Sequence, residues 1–143
     1  MQDIFLIHYY YGDRFTAFKT GLGTILRSLG HSLNSKIMII DDSFKWLENI
    51  EQFGSMNFVL LKTDSHEKAL EVLKKEFSSL EGAVFLLTNF DVLIEKKIIT
   101  ISDFIKLLKS KQHSNEILLT AEKKYPEIEE IADYVSLIEL TEN

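Results

Sequence analysis

The stretch that decides the fold is residues 4–31, IFLIHYYYGDRFTAFKTGLGTILRSLGH. Its first part, residues 4–11, is an apolar run typical of a buried strand, and Gly12 and Asp13 follow it as a turn. Apolar residues then recur at helical spacing over residues 17–29, which predicts an amphipathic helix. Strand, short turn and helix follow one another as in a unit that holds a phosphate group at the amino end of a helix.

The rest of the chain continues to alternate apolar runs with helical patterns. Further strands are predicted at residues 36–41, 56–61, 83–87, 116–120 and 134–140. The helical features are Gly30 as the C′ residue of the first helix, a weak helix or ordered loop at 44–53, a helix capped by Asp64 with Glu67 in a capping box, a helix capped by Thr100, and a short helix from Pro126 to residue 132. Because strands alternate with helices, we expect an α/β three-layer sandwich around a mostly parallel sheet of about six strands.

Composition limits the classes of function. The 143 residues fit a single domain, here residues 1–143, and 45% hydrophobic with 27% charged residues is typical of a globular protein. The net charge of −6 disfavours a nucleic-acid partner and an anionic membrane surface, and the absence of cysteine excludes thiolate chemistry. The apolar run at 4–11 is too short for a membrane span or a signal peptide, so we expect a cytoplasmic protein without a membrane partner.

In a parallel sheet the ligand-binding crevice lies at the carboxyl ends of the strands. The segments predicted at that edge are residues 11–18, 41–43, 88–91 and 120–124. The sequence therefore places any small-molecule site on these segments.

The opening segment resembles the ATP:corrinoid adenosyltransferases of the CobA type (BtuR/CobO), a P-loop family with a RecA-like sheet. That family reads roughly Y-T-G-[DN]-G-K-G-K-[ST]-T-A-A-x-G-x-A-x-R-A-x-G-H. Laid on without gaps, the chain keeps Tyr10, Gly12, Asp13, Gly23, Arg27, Gly30 and His31.

The end of the chain resembles the same family. Residues 99–140 are similar to a stretch that runs from L-P-L-E-E-V through an I-I-T-G-R strand end to a helix with L-A-D-x-V. The matching positions are Thr120, Ala132, Asp133 and Val135. The segment 41–82 is shorter than in the family and aligns poorly. The resemblance implies a RecA-like (P-loop NTPase-like) sheet, with ATP, Mg²⁺ and a corrinoid as the family's ligands and a homodimer as its assembly.

The positions that carry the family's chemistry are changed. Thr16, Ala17 and Phe18 occupy the places of the P-loop glycine, the lysine and the magnesium-binding Ser/Thr. Thr88 and Asn89 stand where the family has an acidic pair, and Ala121-Glu122 replaces the Gly-Arg after Thr120. A triphosphate–magnesium complex would thus lose a cation, a metal ligand and the acids that organise the metal.

These changes lead to a first hypothesis of a degenerate, non-catalytic relative that retains weak corrinoid or nucleotide binding. Its remnant of the nucleotide-binding loop is Gly12, Asp13, Arg14, Phe15, Thr16, Ala17 and Phe18. Its ligand surface is Tyr11, Thr88, Asn89, Asp91 and Thr120. No catalytic residue and no metal ligand is assigned.

Two alternatives remain open. In the first, the chain is an active adenosyltransferase with a rebuilt site, in which Arg14 and Lys19 replace the lysine and Asp91 or Asp13 binds the metal. In the second, it is a protein-interaction module without a small-molecule site. Each candidate residue also has a structural interpretation: Gly12 permits the turn, Asp13 caps the helix, and Asp91 serves as a loop or cap residue.

Overall fold

The computed structural model of the chain describes residues 6–30, 34–40, 58–61, 65–79, 83–110 and 116–139. The strands within these ranges are β1 (Leu6–Gly12), β2 (Asn34–Ile39), β3 (Phe58–Leu61), β4 (Ala83–Thr88), β5 (Glu116–Ala121) and β6 (Tyr134–Ile138). The helices are α1 (Arg14–Gly30), α2 (His66–Ser79), α3 (Asp91–Glu95), α4 (Ile101–Lys109) and α5 (Pro126–Ile131).

The six strands form one sheet in the order β3-β2-β4-β5-β1-β6. Every neighbouring pair is parallel, as the alternation of strands and helices predicted. The strand β5 separates β1 from β4, so the two strands whose ends carry most of the candidate residues are not neighbours. The predicted α/β three-layer sandwich of RecA-like type is confirmed.

Helices cover both faces of the sheet, because alternate residues of each strand point to opposite sides. On one face α1 packs its buried residues Ala17 and Phe18 against Ile37, Leu86 and Leu118 of three different strands. The opposite face is covered by α2, α4 and α5, whose buried side chains include Leu73, Phe104 and Ile128. The central strands β4 and β5 are buried on both faces and read as continuous apolar runs for that reason.

The start of α1 differs from the prediction. The helix was expected from residue 17, but it begins at Arg14. The Asp13 carboxylate accepts hydrogen bonds from the N–H and the hydroxyl of Thr16, at 2.9 and 2.6 Å, and so caps a turn that precedes the apolar stripe. Gly30 is the last residue of the helix rather than the residue after it.

The caps of the later helices agree with the prediction only in part. Thr100 caps α4 as expected, and its hydroxyl accepts a hydrogen bond from the Asp103 N–H at 3.1 Å. At α2 the Ser65 hydroxyl accepts from the Lys68 N–H at 3.2 Å. The cap predicted there, Asp64, lies outside the described residues.

Two further elements differ from the prediction, and one predicted element lies outside the described residues. The strand β2 spans Asn34–Ile39 instead of residues 36–41, two residues earlier than its apolar centre suggested. The helix or loop predicted at 44–53 lies outside the described residues. The helix α3 was not predicted, since its five residues are too few to show a helical period.

Candidate functional site

The candidate site is the edge of the sheet where the parallel strands end, and its centre is the crevice between β1 and β5. These two strands are neighbours, yet the chain leaves them on opposite faces, through α1 after β1 and through α5 after β5. Such a divergence opens a crevice beyond the strand ends, where ligands of parallel sheets bind. The segments after β4 and β5 meet there, beside β1, whose Tyr9 hydroxyl donates to the Lys123 carbonyl.

The connection from β1 to α1 is a single residue, Asp13. Its N–H donates to the carbonyl of Ile138 on β6 at 3.0 Å, and its own carbonyl accepts from the Ala17 N–H at 2.8 Å. Its carboxylate accepts the two bonds from Thr16. The Thr16 hydroxyl first, then the Thr16 N–H and the positive charge of Lys19, hold the pKa of Asp13 below its ordinary value of 3.8. The amino end of α1 is therefore occupied by a carboxylate of the chain itself.

Gly12 lets β1 approach β6 closely before the turn. Its φ of +129° is in the region that side chains disfavour. A Cβ built on it would lie 2.0 Å from the carbonyl oxygen of Ile138. Glycine is thus required at this position by the local geometry alone.

Ala17 and Phe18 do not lie at the strand ends. Both side chains are fully buried in the core between α1 and the sheet. Phe18 aligns with the family's magnesium-binding Ser/Thr, but the structure places its ring in the core. Neither of these two side chains therefore lines the crevice beyond the strand ends.

The ends of β4 and β5 are joined by a buried polar network. The Thr88 hydroxyl donates to the carbonyl of Met38 at 3.3 Å, and the Asn89 N–H donates to the Thr120 hydroxyl at 3.0 Å. The Asp91 carboxylate accepts from the Glu122 N–H at 3.1 Å. The structure thus brings together four candidate residues from two segments, Thr88, Asn89, Asp91 and Thr120, and all four are fully buried.

Asn89 is the one member of this network whose side chain is unused within the described residues. Its Nδ2 and Oδ1 atoms are buried and have no hydrogen-bond partner there. Its φ of 57° is left-handed, a conformation that asparagine tolerates better than most residues. A buried amide without partners destabilises a fold by about 1–3 kcal/mol, so this group is available to a water molecule or a ligand. Sequence reasoning named Asn89 as a candidate but had no signal for its conformation beyond the residue type.

The three consecutive tyrosines of β1 face in alternate directions, as successive side chains of a strand do. Tyr9 is fully buried, donates from its hydroxyl to the Lys123 carbonyl at 2.7 Å and accepts from the Tyr125 N–H at 2.9 Å. Burial raises the pKa of Tyr9 far above its ordinary value. Tyr11 lies on the same face, half-buried, with its ring 5.3 Å from that of Tyr9, while Tyr10 faces α1. Of the three, only Tyr11 lies at the end of the strand with its side chain partly exposed.

The residues present do not fit a magnesium–triphosphate complex. In the first turn of α1 the N–H groups of Thr16 and Ala17 are already bonded to Asp13. The Asp91 carboxylate is buried and bonded to the following loop. Within the part of the chain that the structure describes, no group of three or more acidic, histidine or cysteine side chains is arranged to hold a metal ion.

The comparison with protein families agrees with this fold. The model of the ATP:corrinoid adenosyltransferase family BtuR/CobO/CobP matches residues 5–142. The chain belongs to this family. None of the curated proteins gives a match.

None of the helices in the described ranges is long and apolar enough to cross a bilayer.

Proposed function

We propose that this chain is a non-catalytic member of the corrinoid adenosyltransferase family, which binds a corrinoid without transferring an adenosyl group to it. The observation that carries the proposal is the connection from β1 to α1. It is one residue long, and that residue, Asp13, caps the helix with its own carboxylate. A loop that wraps phosphate groups needs several free backbone N–H groups at this place.

Charge at the amino end of α1 supports the same conclusion. The helix dipole and the first N–H groups attract an anion, and the Asp13 carboxylate is the anion that they already hold. A triphosphate arriving there meets a carboxylate whose lowered pKa keeps it charged. Two anions at one helix end repel each other, so we expect MgATP to bind poorly.

The buried network at β4 and β5 argues against magnesium and in favour of an uncharged polar ligand. Thr88 and Asn89 provide a hydroxyl and an amide where the family resemblance calls for two acids. The Asn89 amide has two N–H donors and one acceptor oxygen, all unused among the described residues. The edge of a corrinoid carries carboxamide side chains, and because Asn89 is fully buried they pair with its amide only after the loop that follows β4 shifts. The half-buried ring of Tyr11, at the end of the adjoining pair of strands, adds a flat apolar contact.

Titration and a turnover assay test the proposal together. Isothermal titration with hydroxocobalamin is expected to show binding, whereas titration with MgATP is expected to show none. An anaerobic assay with reduced cobalamin and MgATP should form no adenosylcobalamin. The Tyr11→Leu variant should bind hydroxocobalamin about tenfold more weakly, because it loses the aromatic contact. The matched Lys109→Ala variant, altered at the far end of α4, should bind as the unchanged protein does.

The other outcomes overturn the proposal in distinguishable ways. Formation of adenosylcobalamin would establish an enzyme with a rebuilt site, and Arg14→Ala and Lys19→Ala would then show whether those cations serve it. Binding of MgATP alone would make the chain a nucleotide-binding protein. Binding of neither ligand would favour the protein-interaction module.

We further propose that the chain forms a homodimer through the edge of its sheet. The edge strand β6 exposes Tyr134, Val135 and Leu137 to 55%, 41% and 55%, and no described strand pairs with its outer side. Such an edge with large apolar side chains is a template for further strand pairing. Two copies related by a two-fold axis would join their β6 strands antiparallel and cover these side chains.

A further inference from the structure

Away from the strand ends, an open groove of about 430 Å³ runs between α2 and α4 on the face of the sheet opposite α1. Its volume lies in the range of sites for small organic ligands. The groove follows α4 from Thr100 to Ser110, which is about 15 Å at the rise of an α-helix. It is independent of the strand-end crevice, because it is formed by helix surfaces and by the loop before α4.

The floor of the groove is apolar. Leu70 of α2, Ile98 of the preceding loop and Leu107 of α4 line it, and each is half-buried against the core of this face. A ligand lying along the floor would remove the remaining apolar surface of these side chains from water. Such burial provides affinity in proportion to the apolar area covered.

The rim of the groove is basic. Lys74, Lys97 and Lys106 contribute three ammonium groups from three separate segments, against one carboxylate, that of Asp103. Within the described part of the chain none of these lysines forms an ion pair, whereas Lys36 and Lys123 are paired with Glu76 and Glu95. In a protein of net charge −6, an excess of unpaired cations around an apolar floor is complementary to an anion.

Lys97 has a backbone conformation that a lysine rarely adopts. Its φ is 59°, and its N–H donates to the carbonyl of Ile94 at 3.1 Å just after the end of α3. The left-handed residue after a helix is usually glycine, which has no Cβ to be strained. A lysine in this place gives up local stability and gains an ammonium group at the groove.

We propose that this groove binds a small anionic amphiphile, a single apolar chain with a phosphate or carboxylate head group. The chain lies on the floor formed by Leu70, Ile98 and Leu107, and the head group lies among the lysines of the rim. Only an amphiphile satisfies both surfaces, since a simple ion would leave the floor exposed and a neutral hydrocarbon would leave the lysines unused. A stable protein partner would need an interface of roughly 1,000 Å² or more, which a groove about 15 Å long does not provide.

Dodecyl phosphate below its micelle-forming concentration is the probe, and isothermal titration is the measurement. We expect binding that weakens as salt is added, because ammonium–phosphate attraction is screened. The Lys97→Gly variant should lower the affinity about tenfold through the loss of one charge-assisted contact. The same variant should melt at the same or a higher temperature, since glycine relieves the left-handed backbone. Lys109→Ala, another exposed lysine of α4 outside the groove, is the matched control and should bind normally.

Five results would overturn the proposal. Inorganic phosphate binding as tightly as dodecyl phosphate would reduce the site to a simple ion site. Dodecyl maltoside binding equally well would show that the lysines play no part. Absence of binding, or unchanged affinity in Lys97→Gly, would leave the groove without this ligand. Co-sedimentation with phosphatidylglycerol vesicles in the absence of binding to the monomeric probe would assign the lysines to a membrane surface.

Discussion

The carboxylate of Asp13 accepts two hydrogen bonds from one residue, Thr16, and both favour its charged form. They lower its pKa in the folded protein relative to the unfolded chain. The folded state therefore binds fewer protons than the unfolded state as the pH falls through this range. The stabilisation is fully present above the ordinary carboxyl pKa and disappears as the pH drops through the lower, folded pKa.

This linkage predicts a pH-dependent difference between the protein and its Asp13→Asn variant. Asparagine is also a good capping residue but has no charge. At neutral pH the unchanged protein should have the larger free energy of unfolding, and the difference should vanish in acid, below the ordinary carboxyl pKa of 3.8. Urea denaturation across this pH range measures it. Thr16→Val, which removes the hydroxyl donor, should flatten the same dependence; an unaltered pH profile in both variants would contradict the capping role.

Asn89 permits a second prediction at the level of one residue. Asn89→Gly removes two unpaired buried polar atoms and relieves a left-handed φ. We expect the free energy of unfolding to rise by about 1 kcal/mol, and to exceed that of Asn89→Ala by a similar amount because alanine keeps the strained Cβ. Thermal and urea unfolding of the unchanged protein and the two variants measure these differences in the free energy of unfolding. A less stable Asn89→Gly would mean that the amide is satisfied in solution, for example by a buried water.

At the scale of the helices and strands, the order of elements could be predicted from the sequence, because apolar periods of two and 3.6 residues repeat along each element. The parallel sheet brought Thr88, Asn89 and Thr120 together, as the rule for strand ends predicts. The pattern could not predict the start of α1 or the existence of α3, which depend on a few residues. The helix α1 starts at Arg14 because of the Asp13 cap, and α3 is too short to leave a period.

The packing of α1 on the sheet predicts different effects of alanine substitution at its two central glycines. A Cβ at Gly23 would meet nothing within 4 Å, whereas one at Gly21 would lie 2.7 Å from the Leu86 side chain. Gly23→Ala should therefore raise the free energy of unfolding by about 1 kcal/mol through helix propensity. Gly21→Ala should lose most of that gain because Leu86 must move in a dense core. Equal stabilisation of both variants in urea denaturation would mean that α1 does not approach β4 as closely as described.

At the scale of the whole molecule, the sheet is covered unevenly. One face has α1 and the other has α2, α4 and α5, while the edge strand β6 keeps three large apolar side chains at the surface. Exposed apolar groups on an unpaired strand edge favour self-association. The dimer that we propose would cover these side chains by pairing the two β6 strands.

Charge placed on this edge should separate the copies. In Leu137→Lys a cation replaces a side chain that is 55% exposed, so the monomer should fold normally while the dimer is disfavoured by two facing charges. Light scattering coupled to size exclusion should show a dimer for the unchanged protein and a monomer for this variant. Lys109→Glu, which alters charge away from β6, controls for a general effect of charge. A dimer that persists in Leu137→Lys would place the contact elsewhere.

The burial of Ala17 has a consequence for any attempt to engineer phosphate binding into this chain. A lysine at this position would put an ammonium group at a site of 0% exposure, on the inner face of α1 and against apolar side chains of three strands. An unpaired buried charge of this kind is strongly destabilising. For the non-catalytic relative that we propose, one substitution would therefore not create a phosphate site, and the start of α1 would have to be rebuilt together with it.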